Sequence, residues 1–158
     1  MLRLLIIALL LCAGPLTAAT ITVTDLNDDT LANLAGDSQI SLREAIEAAN
    51  TDTSIDGSTA GSGADVIVFA TGVNGTLTTD VEDLVKSFGP TAFVIDSDIT
   101  IDAAVNGNTV ELQIAGTVVR LRHFGVMPSA TLTLRGLTLS GGISRGGNGG
   151  NTTLGSPG

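Results

Sequence analysis

The chain has 158 residues, with 20 Gly, no Trp, no Tyr, a single Cys and a formal net charge of −9. That length suits one domain with enough apolar residues to form a core. An acidic balance with no basic cluster to offset it excludes nucleic acid as an expected partner, and one cysteine excludes an internal disulfide.

The N-terminus reads as a leader. Met1-Leu2-Arg3 supplies a positive start, residues 4–11 form a continuous apolar run, and Gly14-Pro15 breaks it before Thr17-Ala18-Ala19. This is the pattern of a signal peptide over residues 1–19, with cleavage expected after Ala19 and Thr20 as the new first residue. The apolar run is far shorter than the roughly 20 residues needed to span a bilayer, and no other stretch comes close. A lipoprotein signal fits less well, because Leu11 stands where a small residue is expected before a lipidated Cys12. Cys12 and Arg3 leave with the leader, so the mature chain has no cysteine and a charge of −10. A secreted or cell-surface protein is expected, with no transmembrane segment after signal removal.

Ile21 and Val23 alternate with Thr22 and Thr24, which marks a strand. The run Asp25-Leu26-Asn27-Asp28-Asp29 places oxygens at alternate positions, as a calcium loop does. It lacks the EF-hand's glycine and glutamate, since Thr30 and Gly36 occupy those places. A weak calcium site of another type stays open beside the ordinary solvated loop, which is favoured; no other cofactor is expected.

Residues 40–50 hold the one clear helix signal. Ser41 followed three residues later by Glu44 is a capping box. Leu42, Ala45, Ile46 and Ala49 form an apolar stripe, with Arg43, Glu44, Glu47 and Ala48 off it, and Asn50 before Thr51-Asp52-Thr53 marks the end. So short a helix needs tertiary packing, and its stripe is expected to cover the open end of a stack of strands.

The run Ile40-Ser41-Leu42-Arg43-Glu44-Ala45-Ile46, with Ala48-Ala49-Asn50, resembles the CSLREA motif near the start of bacterial secreted right-handed parallel β-helix proteins, a group that includes pectate-lyase-like and adhesin-like surface proteins. Ile40 takes the place of the family's leading cysteine. The resemblance extends to Ala64-Asp65-Val66-Ile67-Val68-Phe69, to Ile99-Thr100-Ile101-Asp102 and to residues 130–142. It implies a fold and export, and says little about activity.

Further along, residues 51–63 read as a loop and residues 66–69 as a short strand. Gly72-Val73-Asn74-Gly75 makes a turn before Thr76-Leu77-Thr78. Val81, Leu84, Val85 and Phe88 lie at helical spacing, which predicts a short helical or irregular excursion ended by Gly89-Pro90. From Phe93 onward the apolar residues alternate: Phe93, Ile95, Ile99 and Ile101, with Ser97 between them, then Val110, Leu112 and Ile114. Val119 and Leu121 keep this period, Phe124 and Val126 restart it, and the same slip separates Leu132 and Leu134 from Leu137 and Leu139. In a flat strand such a slip would send side chains to the opposite face. A bend at Gly136 keeps both halves pointing inward.

Repeated slips of this kind predict a chain that turns corners. The expected architecture is therefore an all-β, right-handed parallel β-helix (solenoid) with an N-terminal strand and a short amphipathic capping helix. Residues 20–63 form the strand, helix and loop, residues 64–142 the first rungs, and residues 143–158 a Gly-rich turn or incomplete end. Rungs of roughly 20 to 25 residues allow about three or four turns after Ala64. The core-forming residues are Ile99, Ile101, Leu112, Ile114, Leu132, Leu134, Leu137 and Leu139, with Gly136, Gly141 and Gly142 at turns. A sandwich is the competing architecture, with Asn74-Gly75 and Asn106-Gly107 as its candidate hairpin turns. No capping pattern follows Gly142, so the chain reads as the N-terminal fragment of a longer protein, or as one whose last rung another chain covers.

Reactive constellations are sparse. His123 has no second ligand beside it and reads as structural. Arg120 and Arg122 share a face, where they serve either an acidic ligand or the charge of Glu111 and neighbouring acids. Asp96, Asp98 and Asp102 are expected on one outward face, the nearest approach to the carboxylate sets of glycosidases and lyases. No catalytic residue and no metal ligand is assigned. The expected function is a non-enzymatic stalk or adhesin-like surface meeting a polysaccharide or cell-surface ligand. The alternative is a carbohydrate-active enzyme, a polysaccharide lyase or glycosidase, whose catalytic rungs lie mainly beyond this chain.

Overall fold

The computed structural model describes residues 17–83, 89–115 and 120–143. The leader up to residue 16, Leu84, Val85 and Phe88 of the expected excursion, Val119 and the Gly-rich end from residue 144 lie outside the described residues. Strands dominate: β1 (Thr20–Val23), β2 (Asp65–Phe69), β3 (Gly75–Thr79), β4 (Thr91–Ile95), β5 (Ile99–Asp102), β6 (Val110–Ile114), β7 (Arg122–Val126), β8 (Leu132–Arg135) and β9 (Leu137–Ser140). Two helices, α1 (Leu31–Leu34) and α2 (Leu42–Thr51), lie between β1 and β2. The four-residue α1 is too short to show a periodic apolar pattern and was not expected.

The strands form three sheets, ordered β1-β2-β5-β8, β3-β6-β9 and β4-β7, and every pairing among the described residues is parallel. No hairpin joins them, and Gly75 opens β3 rather than turning between paired strands. From β2 onward, successive strands go to the first, second and third sheet in rotation. Asp65 pairs with Ile99 and Ile99 with Leu132, intervals of 34 and 33 residues. Gly75 pairs with Val110 and Val110 with Leu137, intervals of 35 and 27. These intervals exceed the expected repeat, because connections such as residues 103–109 add length without adding a strand.

Registry stacks like on like. Ile21, Ile67, Ile101 and Leu134 follow one another across the first sheet, and Leu77, Leu112 and Leu139 across the second. Phe93 faces Phe124 in the third, ring centroids 5.8 Å apart. Buried residues from all three sheets belong to one core, which also takes in Leu42, Ala45, Ile46, Ala48 and Ala49 of α2. Side chains on the other faces, among them Thr22, Thr76 and Thr78, are exposed. Parallel sheets are ordinarily covered on both faces, so three half-covered ones hold together by sharing an interior.

Of the expected core residues, Ile99, Ile101, Leu112 and Ile114 are buried, and Leu132, Leu134 and Leu137 are partly buried against the core. Leu139 departs from expectation at 42 % exposure, as does Val126 at 38 %. Both lie in register with buried residues of the preceding strand, but among the described residues no further strand covers them. Gly136, at φ 65°, is the sole residue between β8 and β9, which enter different sheets, so the expected corner is there. Gly141 and Gly142 follow β9 in the same left-handed backbone region.

Candidate functional site

The helix that carries the family resemblance is built as its sequence dictates. Ser41 Oγ accepts from the Glu44 N–H at 3.2 Å, and Glu44 Oε2 accepts from the Ser41 N–H at 2.9 Å. At the far end the helix runs one residue past Asn50, and Asp52, in the left-handed region, donates its N–H to the Ala48 carbonyl. The apolar stripe is buried as expected. Arg43, Glu44 and Ala48 are buried as well, so the helix is enclosed on more than one side.

Arg43 explains this enclosure. Its guanidinium forms a two-pronged pair with Asp28, donates from Nη1 to the Ala92 carbonyl at 2.8 Å, and sits 4.6 Å from the centre of the Phe93 ring. Asn50, two turns on, donates to the Val94 carbonyl at 2.9 Å and accepts from the Asp96 N–H at 2.8 Å. Ala92 and Val94 are alternate residues of β4, so Arg43 and Asn50 clasp the same strand at two points. Arg43 and Asn50 thus clamp α2 to β4, while Ser41 and Glu44 cap the helix and Leu42, Ala45 and Ile46 join the core. A cationic side chain off the apolar stripe gave no hint of this depth; the signal was Asp28, fifteen residues earlier.

Beside the clamp lies a cavity of about 320 Å³, lined by Arg43, Ile46, Glu47, Asn50, Asp83 and Phe93 among others. A neighbouring one of about 190 Å³ shares Glu47, Asn50 and Asp83 and adds Asp96 and Met127. Asp83 is tied to β4, where its Oδ2 accepts from the Val94 N–H at 3.3 Å. With the Arg43 donors engaged elsewhere, the two cavities present the carboxylates of Glu47, Asp83 and Asp96 beside the apolar wall of Ile46 and Phe93. Such a lining accepts hydrogen bonds from hydroxyl groups. It holds no described histidine or cysteine to act as a nucleophile.

The loop that resembled a calcium site spends its oxygens internally. Asp25 accepts from the backbone and side chain of Asn27, and Asp28 is taken by Arg43. Asp29 accepts from the Thr30 N–H and from Asn33 Nδ2, and these two bonds, the backbone one first, hold its carboxyl below the usual carboxylate range. Among the described residues, no group of three or more His, Cys, Asp or Glu is arranged to hold a metal ion.

The expected acidic face divides. Asp96 and Asp98 are exposed, but Asp102 is buried, accepts from the Ala104 N–H at 2.9 Å, and lies 3.7 Å from Arg135. The reason is registry: Asp102 ends β5 opposite Arg135 and secures the turn that follows, so it is not available beside the other two. His123 Nε2 lies 2.9 Å from the Ser140 carbonyl, a contact between adjacent segments. Glu111 accepts from the hydroxyls of Ser140 and Thr76.

Compared with protein-family models, with curated proteins and with solved structures, the chain gives no match. Among the described residues, no helix is long and apolar enough to cross a membrane.

Proposed function

We propose that this chain is the N-terminal region of an exported bacterial protein, wound as a right-handed parallel β-helix, whose role is that of a stalk or an adhesin-like binding surface. The observation that carries the reading is the rotation of successive strands through three parallel sheets around one core. The right hand follows from the strong preference of parallel crossover connections. The clamp at α2 supports a capping role, because most of its polar contacts are spent on β4 and Asp28 rather than held open for chemistry. At the other side, Val126 of β7, Leu139 of β9 and Ile143 beyond it are exposed. Further rungs or another chain would cover that surface in the working protein.

A second reading, a carbohydrate-active enzyme, draws on Glu47, Asp83 and Asp96 around the paired cavities. One experiment separates the two. The full reading frame is expressed, its export to the cell surface followed, and the product tested for binding and cleavage of pectin-like polysaccharides with added calcium. Binding without turnover is the expected result. Turnover that disappears with Asp96→Ala would replace the first reading with the second.

A further inference from the structure

Asp65, at the start of β2, is only 1 % exposed, and its two oxygens are treated unequally. Oδ1 accepts from the N–H groups of Ala19 and Ser62, each at 2.9 Å. Oδ2 is buried with no hydrogen-bond partner. Gly61 closes the space on one side: a Cβ there would stand 2.6 Å from Asp65 Oδ2 and 2.7 Å from the Ala48 carbonyl oxygen. No described arginine or histidine pairs with this carboxylate. A buried carboxylate with an empty acceptor is costly, and a cation beside it is the usual remedy.

Ala19 is the residue placed to supply one. Its carbonyl accepts from the Val66 N–H at 2.9 Å while its own N–H meets Asp65, so it extends the β1–β2 pairing by one residue. Cleavage after Ala19 would delete both contacts. Cleavage one bond earlier would keep them and turn the amide nitrogen at 2.9 Å into an ammonium with three donors, so that the carboxylate faces an opposite charge rather than a neutral amide.

We propose that the leader is removed between Ala18 and Ala19, and that the α-ammonium of Ala19 docks on the buried carboxylate of Asp65. An export peptidase adds water across the Ala18–Ala19 amide: the leader departs with the new carboxylate, and the freed amine of Ala19 takes up a proton. Ala18 meets the need for a small residue at the cut, although Leu16, two residues before it, is bulkier than the Thr17 that favours the later bond. The proposal rests on the export reading above.

The test begins with the intact mass of the protein recovered after export, which is expected to correspond to a chain starting at Ala19. A start at Thr20 overturns the proposal and leaves export standing; a start at Met1 overturns both. The second measurement uses a Lys86→Arg background, Lys86 being the chain's one lysine, so that acetylation reaches only the α-amine. Acetylation is expected to lower Tm by several degrees, and to leave Tm unchanged once Asp65→Asn is added. No effect on the parent, or an equal loss in both, overturns the docking.

Discussion

Arg43 and Asp28 meet through two parallel hydrogen bonds, Nε to Oδ1 at 2.9 Å and Nη2 to Oδ2 at 2.8 Å, with side chains 8 % and 0 % exposed. Removing one member of a buried pair strands the other charge, which costs about 3–5 kcal/mol. Arg43→Ala is therefore expected to be severely destabilising in urea unfolding. The double variant Arg43→Met, Asp28→Asn is expected to lose much less than the sum of its single changes, since no uncompensated charge remains. Arg43→Lys keeps the charge but not the fork, and should fall between parent and Arg43→Ala.

The capping box gives a smaller and asymmetric prediction. Ser41→Ala removes the acceptor for the Glu44 N–H and is expected to cost about 1 kcal/mol. Glu44→Ala should cost less than the lost capping contact implies, because Glu44 Oε1 is buried without a partner and its removal relieves that penalty. Urea midpoints of the two variants decide the order.

Layer position should govern the cost of losing a leucine. Leu112 is fully buried between Leu77 and Leu139, so Leu112→Ala is expected to cost about 2–5 kcal/mol. Leu139 shares that column but is exposed among the described residues, and Leu139→Ala should change stability by less than about 1 kcal/mol. Equal losses in thermal unfolding would show that Leu139 is covered in solution.

Three glycines make a graded set. Gly72 lies at φ 87° with nothing within 4 Å of where a methyl group would stand, so Gly72→Ala should cost about 1 kcal/mol, from backbone strain alone. At Gly136 the same strain is joined by a Cβ position 2.8 Å from the Ala104 nitrogen, and the loss should be larger. Gly61→Ala would press a methyl to 2.8 Å from Ala49 Cα as well as against the Ala48 carbonyl, and about 1–3 kcal/mol is expected from overpacking. Thermal unfolding of the three variants checks the ranking.

The parts of this fold that were legible in the sequence are those written by short-range rules. The Ser41–Glu44 reciprocity, the alternation at Val110, Leu112 and Ile114, and the break at Gly136 each depend on neighbours within a few residues. What escaped the sequence depends on residues brought together from afar. Arg43 lies off the apolar stripe, and nothing local announces that Asp28 and Phe93 will enclose it. Asp102 keeps step with Asp96 and Asp98 in the sequence, but registry sets it against Arg135. The spacing of apolar residues understates the repeat, because it reports only the strands while the connections between them differ in length.

Among the described residues, α2 packs beside the first strands, while β7, β8 and β9 end their sheets. No further described strand pairs with the outer sides of β7, β8 and β9, while the helix is tied to β4. On the proposed β-helix reading, added layers would lengthen the protein from that margin and leave the contacts of α2 with β4 untouched, like links added beyond a fixed clasp.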